Sequence, residues 1–201
     1  MIYLASRSPR RRELLNQIGV KYEPLLFREG NRADVETDEA VQPGELPDAY
    51  VRRVTRQKAE AAWHRVLMRR GLQRKAVLAA DTTVALGTQI LGKPADRDDA
   101  MRMLAMLSGA SHRVLTAVAL QFESRFEITV SESLVTFARL DEARIAAYVA
   151  SGEPFDKAGA YAIQGRAGAF VERLEGSYTG VMGLPLYETA NLLRLFGVAV
   201  P

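Results

Sequence analysis

The sequence predicts a mixed α/β fold in one domain spanning residues 1–201. Three observations favour it. A short apolar run is followed directly by a helix, two later strand-like runs are close enough to form a hairpin, and segments with helical spacing separate the strand-like runs. With 201 residues, 48% of them hydrophobic, the chain can bury one sizeable core.

The chain opens with a strand at residues 2–5 and a helix that begins at Ser8-Pro9 and ends near Gln17. Serine is a favourable N-cap, and proline suits the first position of a helix. Residues 22–27 predict a second strand. Pro24 cannot donate a ladder hydrogen bond, so this strand should lie at a sheet edge.

The middle of the chain alternates helices and strands. Apolar residues recur at helical spacing over residues 48–70 and again after Asp96, which can cap the second of these helices. Between them, the apolar run 76–80 predicts a buried strand that ends at Asp81. Short extended pieces around Gly87 should follow.

The last part combines a hairpin with two further helices. Residues 114–122 and 126–137 predict antiparallel strands joined by a tight turn. Asp141 can cap a helix, and residues 184–196 again show helical spacing. The run 169–171 is typical of a strand. Connections of both crossover and hairpin type predict a mixed sheet.

Composition argues against several classes of function. Lysine and arginine number 27 against 24 acidic residues, a net charge of +3 that is no signature of nucleic-acid binding. The absence of cysteine excludes disulfides, cysteine-ligated zinc and thiol catalysis. The N-terminus lacks the features of a signal peptide, and no stretch is long and apolar enough to span a bilayer. We expect a cytoplasmic protein without membrane or nucleic-acid partners.

The first candidate site is the motif Ser8-Pro9-Arg10-Arg11-Arg12. It gathers a hydroxyl, free backbone N–H groups and guanidinium groups at the start of a helix, which is typical of an anion site. The alternative is a well-capped helix with a solvated basic face. The position of this loop directly after the first strand favours the anion site.

The second candidate is Asp81, which follows an apolar strand and precedes Thr82 and Thr83. A carboxylate beside a buried strand is costly unless it is paired, hydrogen-bonded or bound to metal. This favours a metal ligand or a general base. A turn-capping aspartate is the alternative, because aspartate is common where strands end.

Two loops complete the candidates. Gly92-Lys93-Pro94 can hold an ammonium at a phosphate, although the spacing of a P-loop is missing. Residues 152–165 mix turn formers and charges, and Gln164 has both the donor and the acceptor that reading a pyrimidine edge requires. A glutamine that merely satisfies loop backbone is the alternative. His64, His112 and Trp63 show no metal or cofactor pattern and are expected to be structural.

Taken together, these motifs resemble the Maf family in order and spacing over nearly the whole chain. The matching motifs are Ser8-Pro9-Arg10-Arg11, Lys58-Ala59, Ala80-Asp81-Thr82, Gly92-Lys93-Pro94, Ser108-Gly109 with His112, Asp156-Lys157-Ala158-Gly159-Ala160-Tyr161, Ile163-Gln164-Gly165 and Gly183-Leu184-Pro185. The resemblance implies a mixed central sheet flanked by helices with a substrate cleft, similar to inosine triphosphate pyrophosphatases. It also implies hydrolysis of a nucleoside triphosphate between the α and β phosphates.

Residue by residue, the resemblance implies that Asp81 is the proton acceptor and that Arg10, Thr82 and Gln164 determine specificity. Arg10 and Gln164 match the branch that acts on dTTP and UTP rather than the branch that acts on 7-methyl-GTP. Purine triphosphates remain an alternative substrate class. Outside enzymes, the alternative is a nucleotide-binding regulator of cell division, and a homodimer is plausible from the resemblance.

The residues that contact phosphate and metal are predicted from the candidate motifs together with this resemblance. Substrate binding is assigned to Ser8, Arg10, Arg11, Lys58, Thr82, Lys93, Asp156, Lys157 and Gln164. The cofactor is a divalent cation, Mg²⁺ or Mn²⁺, held by Asp81 and an acidic loop residue. That residue is Glu39 or Glu36, and we favour Glu39. Asp81 then deprotonates a water, while Arg11, Lys58 and Lys93 neutralise the departing pyrophosphate.

Overall fold

The computed structural model describes residues 1–25 and 38–200 of the chain. The strands within these ranges are β1 (Ile2–Leu4), β2 (Tyr22–Pro24), β3 (Val77–Leu86), β4 (Gln89–Leu91), β5 (Ser111–Phe122), β6 (Arg125–Phe137) and β7 (Val171–Glu175). They form one sheet in the order β2-β1-β3-β5-β6-β7, and β4 pairs with β3. β1 is parallel to β2 and to β3, whereas the remaining pairs are antiparallel. The predicted mixed sheet, with β2 at its edge, is confirmed.

Helices cover this sheet. They are α1 (Pro9–Gln17), α2 (Pro47–Met68), α3 (Arg97–Leu107), α4 (Glu142–Ala150), α5 (Tyr178–Met182) and α6 (Leu186–Leu195). Asp96 and Asp141 accept hydrogen bonds from the backbone N–H groups of Asp99 and Arg144, as expected of N-caps. None of the helices in the described ranges has both the length and the apolar character needed to cross a membrane.

The helices lie on both faces of the sheet because side chains alternate along each strand. On one face, Ile2 and Leu4 of β1 pack in a cluster with Leu14 of α1 and residues of α6. On the other face, Tyr3 packs in a cluster with Trp63 and neighbouring residues of α2. The strands at the centre of the sheet are therefore buried on both sides, and any polar side chain there must find a partner.

The end of β3 differs from the prediction. The strand was expected to stop at Asp81, but its ladder with β5 continues through Thr82 and Thr83 to Ala85. Threonine is β-branched and favours extended backbone, so its hydroxyl does not end a strand. Asp81 therefore lies in the interior of a long strand and not in a terminal turn.

The predicted strand at 169–171 is also wrong for its first two residues. Ala169 and Phe170 belong to a 3₁₀ helix, Arg166–Phe170, and β7 begins only at Val171. The N–H of Gly168 donates to the carbonyl of Gly165 within this turn. Two glycines three residues apart favour such a turn over an extended strand.

Candidate active site

β3 has a stretch that is paired on one edge only. β5 pairs with residues 77–85 along one edge of β3. On the opposite edge, β1 pairs with Val77 and Leu78, and β4 pairs from Val84 onward. Among the described strands, residues 79–83 therefore face an opening between β1 and β4. This opening is the candidate cleft, because functional groups from both faces of the sheet can meet there.

Asp81 and Thr82 lie in this opening and point to opposite faces of β3. Asp81 shares its face with Ala79, which belongs to the cluster under α2. Thr82 shares its face with Ala80, which belongs to the cluster under α1 and α6. The alternation of one strand thus supplies a carboxylate to one side of the cleft and a hydroxyl to the other.

On the α2 side, Lys58 joins two carboxylates. Its Nζ lies 2.6 Å from Oδ1 of Asp81 and 2.7 Å from Oε1 of Glu39. Val54 and Ala62, one turn before and after Lys58 on α2, are fully buried, so Lys58 projects from the helix face that packs on the sheet. Its side chain is only 18% exposed, and that of Asp81 only 13%.

Glu39 is held by several charges at once. Burial by itself raises the pKa of this carboxyl, but the charge and hydrogen bond of Lys58, with smaller contributions from Lys93 and Arg11, hold the pKa below its ordinary value. Nζ of Lys93 lies 3.8 Å from Oε2 of Glu39. The Tyr50 hydroxyl donates to the backbone carbonyl of Glu39 and fixes the chain at this point.

On the α1 side, Arg11 is fixed by three hydrogen bonds. Nε donates to the carbonyl of Gly183 at 2.7 Å, Nη1 to Oγ of Ser6 at 3.2 Å, and Nη2 to Oγ1 of Thr82 at 3.3 Å. Burial lowers the pKa of Arg11, whereas the nearby carboxylate of Asp81 raises it. Arginine keeps its charge under such conditions, so a partly buried cation stands close to Asp81.

The segment after α4 joins the cleft through its backbone. The N–H of Gly159 donates to the carbonyl of Gly92, which ties this segment to the turn that carries Lys93. Gly159 has φ +68°, and a Cβ there would lie 2.9 Å from Val84 of β3, so only glycine fits. Lys157 lies close to Arg10, since burial and then the charge of Arg10 lower its pKa.

Gln164 lies farther along the same segment and its side chain is exposed. Its neighbours are held by Glu153, whose carboxylate accepts hydrogen bonds from the Tyr148 hydroxyl and from the backbone N–H of Arg166, each at 3.1 Å. The same carboxylate lies directly against Gly165, so a side chain at this position would displace it. The two hydrogen bonds of Glu153 therefore hold the turn that presents Gln164.

The residues expected to be structural lie away from the cleft chemistry. His112 is buried in β5, where its Nε2 is 2.9 Å from the Tyr161 hydroxyl and burial lowers its pKa to about 4. Trp63 packs edge-on against Phe122 at 5.7 Å between ring centroids. His64 is exposed on α2.

The structure thus brings together part of the predicted site. Most of the predicted residues are connected by direct contacts or by charge interactions. They are Arg10, Arg11, Glu39, Lys58, Asp81, Thr82, Lys93 and Lys157. Across the ranges that the structure describes, no hydrogen bond or ion pair links Ser8, Asp156 or Gln164 to Asp81 or Arg11. Ser8 is the N-cap residue of α1, but its side chain makes no capping hydrogen bond.

Three groups that contact the site residues were not predicted from the sequence. Ser6 and the carbonyl of Gly183 accept from Arg11, and Thr116 of β5 meets the hydroxyl of Thr82 at 2.9 Å. A single hydroxyl in the apolar run 114–120 was an available signal for Thr116. Gly183 belongs to a motif that carries the family resemblance, but no sequence pattern assigned its carbonyl a role, since every residue has one.

The donor set fits a divalent cation. Oδ1 of Asp81 and Oε1 of Glu39 converge on one ammonium nitrogen, and carboxylate oxygens suit Mg²⁺ and Mn²⁺. No group of three or more histidine, aspartate or glutamate side chains in the described part of the chain can hold a metal. A divalent cation held by Asp81 and Glu39 would therefore need further oxygen ligands from the substrate or from water. Glu36, the alternative to Glu39, lies outside the described residues.

Comparison with known proteins adds family information to this geometry. Residues 1–196 match the model of the Maf family, described as Maf-like protein. A dTTP/UTP pyrophosphatase of Dechloromonas aromatica strain RCB is 56% identical over 196 residues, covering 98% of this chain and 97% of that protein. Proteins of the same name from Aromatoleum aromaticum and Cupriavidus metallidurans are each 58% identical, covering 98% of this chain and 95% and 98% of their own lengths.

The fold also has a solved counterpart. The Ham1 protein of Staphylococcus aureus matches with a TM-score of 0.51 at 14% sequence identity, covering 97% of this chain and 96% of that chain. At such low identity the likeness concerns the fold alone. It agrees with the predicted mixed central sheet flanked by helices.

Proposed function

The chain belongs to the Maf family, and from this premise we propose that it hydrolyses dTTP and UTP to the nucleoside monophosphate and pyrophosphate. The observation that carries the proposal is the carboxylate of Asp81 in the opening of the sheet, with Lys58 on one face and Arg11 on the other. Relatives that align over nearly the whole chain bear the name of this activity.

The charges of the cleft suit a triphosphate. Arg11 and Lys58 are partly buried and fixed by short contacts, whereas Lys93 is 60% exposed and can move toward a ligand. Arg10 and Lys157 add positive charge where the segment after α4 approaches α1. Cationic donors in a partly buried cleft bind phosphate oxygens more strongly than in water, because the local dielectric is lower.

A divalent cation, Mg²⁺ or Mn²⁺, is part of the proposal. Asp81 and Glu39 would hold it, since their oxygens converge on one point. When bound, the cation neutralises phosphate oxygens and lowers the barrier to attack at phosphorus. Lys58, which contacts both carboxylates, would then turn its ammonium toward the phosphates.

Asp81 is the proposed general base. The contact with Lys58 uses Oδ1, so the second carboxylate oxygen can accept a proton from water. The water oxygen forms a bond to the α-phosphorus, and the bond from that phosphorus to the α–β bridging oxygen breaks. The proton passes to Asp81, and the bridging oxygen leaves with pyrophosphate. Arg11, Lys58 and Lys93 neutralise the charge that develops on this leaving group.

Selectivity for the base is assigned to Arg10, Thr82 and Gln164. The support is the resemblance at these positions together with the activity named for the relatives. Gln164 is exposed on a turn that Glu153 fixes, so its amide can meet a base without losing an internal partner. The amide provides one acceptor and two donors, which suits a pyrimidine edge.

The test is a nucleotide panel of dTTP, UTP, CTP, dATP, GTP, ITP and 7-methyl-GTP with Mg²⁺ or Mn²⁺, with products resolved by ion exchange. We expect monophosphate and pyrophosphate from dTTP and UTP, and a loss of about 10³-fold in Asp81→Asn. Asp98→Asn, an exposed carboxylate on α3, is the matched control and should keep full activity.

Each other outcome has a definite meaning. Turnover of 7-methyl-GTP or ITP in place of dTTP keeps the chemistry and removes the specificity assignment. Binding of nucleotides without any product favours a regulator. Full activity in Asp81→Asn contradicts the assignment of the base.

We also propose a cytoplasmic location, because nucleoside triphosphates are made and consumed there. The homodimer stays a prediction, and the molar mass of the purified protein in solution by light scattering tests it.

A further inference from the structure

Thr116 lies directly behind the cleft. In the ladder between β3 and β5 it is the register partner of Thr82, and its side chain is completely buried. Its Oγ1 is 2.9 Å from Oγ1 of Thr82 and 2.7 Å from the carbonyl oxygen of Gly180 in α5. A buried hydroxyl in an apolar strand thus connects a cleft residue to the helix beyond the sheet.

The direction of each hydrogen bond follows from which atom has a proton to give. A carbonyl can only accept, so Thr116 gives its single proton to Gly180. The bond between the two hydroxyls must then use the proton of Thr82. Oγ1 of Thr82 in turn accepts from Nη2 of Arg11, which can only donate. The chain of donors therefore runs in one direction, from Arg11 through Thr82 and Thr116 to Gly180.

Both ends of this chain rest on the same short helix. Gly180 accepts at one end, and Gly183, the residue after α5, accepts from Nε of Arg11 at the other. The N–H of Gly183 also donates to the carbonyl of Gly180 at 2.9 Å. The guanidinium of Arg11 is thus one member of a closed ring of hydrogen bonds, and its plane is fixed by two members of that ring.

We propose that Thr116 is a positioning residue that fixes Arg11 toward the triphosphate, acting through Thr82. The inference rests on the proposed hydrolysis and adds a role that lies outside the cleft itself. It also changes what Thr82 contributes. Thr82 donates its only hydroxyl proton to Thr116, so it holds Arg11 by accepting a hydrogen bond and has no proton left to donate to the nucleotide. Loss of the Thr82 hydroxyl removes one bond of the guanidinium fork. Loss of the Thr116 hydroxyl takes away the acceptor of the Thr82 proton, so the Thr82 hydroxyl can rotate and no longer holds the fork in one orientation.

The test compares Thr116→Val, which removes the hydroxyl at nearly constant volume, with Thr116→Ser, which keeps it. We expect kcat/KM for dTTP to fall about tenfold or more in the valine variant and to stay near the wild-type value in the serine variant. Most of the loss should be in kcat, because Arg11 meets charge that grows on the leaving group. Inhibition by pyrophosphate should weaken as well.

Thr189→Val is the matched control. Thr189 in α6 is completely buried, and its hydroxyl has no hydrogen-bond partner among the described residues. This variant should keep kcat and the inhibition constant for pyrophosphate. Equal losses in the two valine variants would show a general packing effect and overturn the proposal.

A double-mutant cycle separates positioning from mere stability. Arg11→Lys removes the planar fork, so Thr116→Val should cost little more in that background. Additive losses would overturn the proposal. If Thr116→Val does not fold, Thr82→Val interrupts the same chain from the cleft side and should show the same non-additivity with Arg11→Lys.

Failure of the proposed hydrolysis is distinguishable from failure of this inference. If the wild-type protein hydrolyses no nucleotide, the proposed function fails, while calorimetric titration with dTTP and pyrophosphate still tests Thr116. Weaker binding in Thr116→Val, restored in Thr116→Ser, then supports the positioning role. Equal binding in the wild type and the valine variant contradicts it.

Discussion

The two ends of the cleft differ in what holds their side chains. At the end proposed to bind phosphate, here called the phosphate end, Asp81 and Thr82 stand on a long central strand, and Lys58 and Arg11 reach them from helices on opposite faces. Every one of these side chains has a partner within 3.3 Å. The sheet and its helices therefore preorganise the groups assigned to chemistry before any substrate arrives.

At the end proposed to bind the nucleotide base, here called the base end, the segment 152–165 is a series of turns. Asp156, Gly159 and Ala160 all have positive φ, which is costly for the two residues that carry a Cβ. A few contacts hold this backbone: Gly159 to Gly92, Tyr161 to His112, and Glu153 to Arg166. The groups proposed for the chemistry therefore stand on regular elements together with Arg10 and Thr82, whereas Gln164, which is proposed to meet the base, stands on a turn outside the sheet and its helices.

The first prediction concerns a variant that removes a charge from the phosphate end and leaves the base end unchanged. Lys58→Met removes the ammonium shared by Asp81 and Glu39, and we expect kcat/KM to fall about 10²- to 10³-fold. The loss should be of the same size for dTTP, UTP and CTP, because Lys58 contacts the two carboxylates and not the turn that carries Gln164. Steady-state kinetics with the three nucleotides measures both quantities.

Lys75→Met is the matched control for this variant. Lys75 also ends in a 2.7 Å ion pair, with Glu23, and its side chain is 13% exposed, but it lies before β3. It should keep full turnover. A change in the ratio of dTTP to CTP turnover in Lys58→Met would contradict the division between the two ends.

Sequence reasoning predicted the phosphate end better than its surroundings. Lys58 and Asp81 were assigned from motifs 23 positions apart, and the structure joins them. Thr116 was missed because its role depends on the register between β3 and β5, which no local pattern contains. The end of β3 was misplaced at Asp81 because a charged residue after an apolar run looks like a strand terminus from the sequence alone.

The fold followed from periodicity wherever elements were long. The hairpin of β5 and β6, the helix α2 and both aspartate caps were predicted within a few residues. The short helix α5 and the 3₁₀ turns were not, since five residues or fewer give no measurable period. The base end consists mainly of such turns, so its geometry depends on contacts that only the folded chain makes.

The second prediction uses pH to separate the two ends. Burial lowers the pKa of His112 to about 4 from 6.5, so the unfolded chain binds a proton that the folded chain does not. His112 therefore destabilises the fold progressively as pH falls from 6.5 toward 4, by about 2 kcal/mol between about pH 7 and about pH 5. Glu39 has a lowered pKa, so its contribution is kept above 4.5 and lost only as pH falls further.

Urea unfolding at these two pH values checks this difference. His112→Phe should reduce the loss of stability between them, although it lowers stability at both by removing the contact with Tyr161. Glu39→Gln should leave the difference unchanged. If His112→Phe loses as much stability as the wild type on acidification, the buried histidine is not the source.

The third prediction affects the base end alone and is the smallest. Glu153→Ala leaves the Tyr148 hydroxyl and the N–H of Arg166 without this acceptor, and it frees the turn that carries Gln164. We expect the preference for dTTP over CTP to fall severalfold, up to about tenfold, while kcat for dTTP changes little. Gln164→Ala should give a similar loss of preference. The losses of the two variants should not be additive, because Glu153 acts through the position of Gln164.

The control is Glu172→Ala, which removes an exposed carboxylate on β7 and should change neither the preference for dTTP over CTP nor kcat for dTTP. A loss of kcat for dTTP as large as that of Lys58→Met would show that the turn also orients the phosphates, and the two ends would then have to be treated as one unit joined at Gly92 and Gly159.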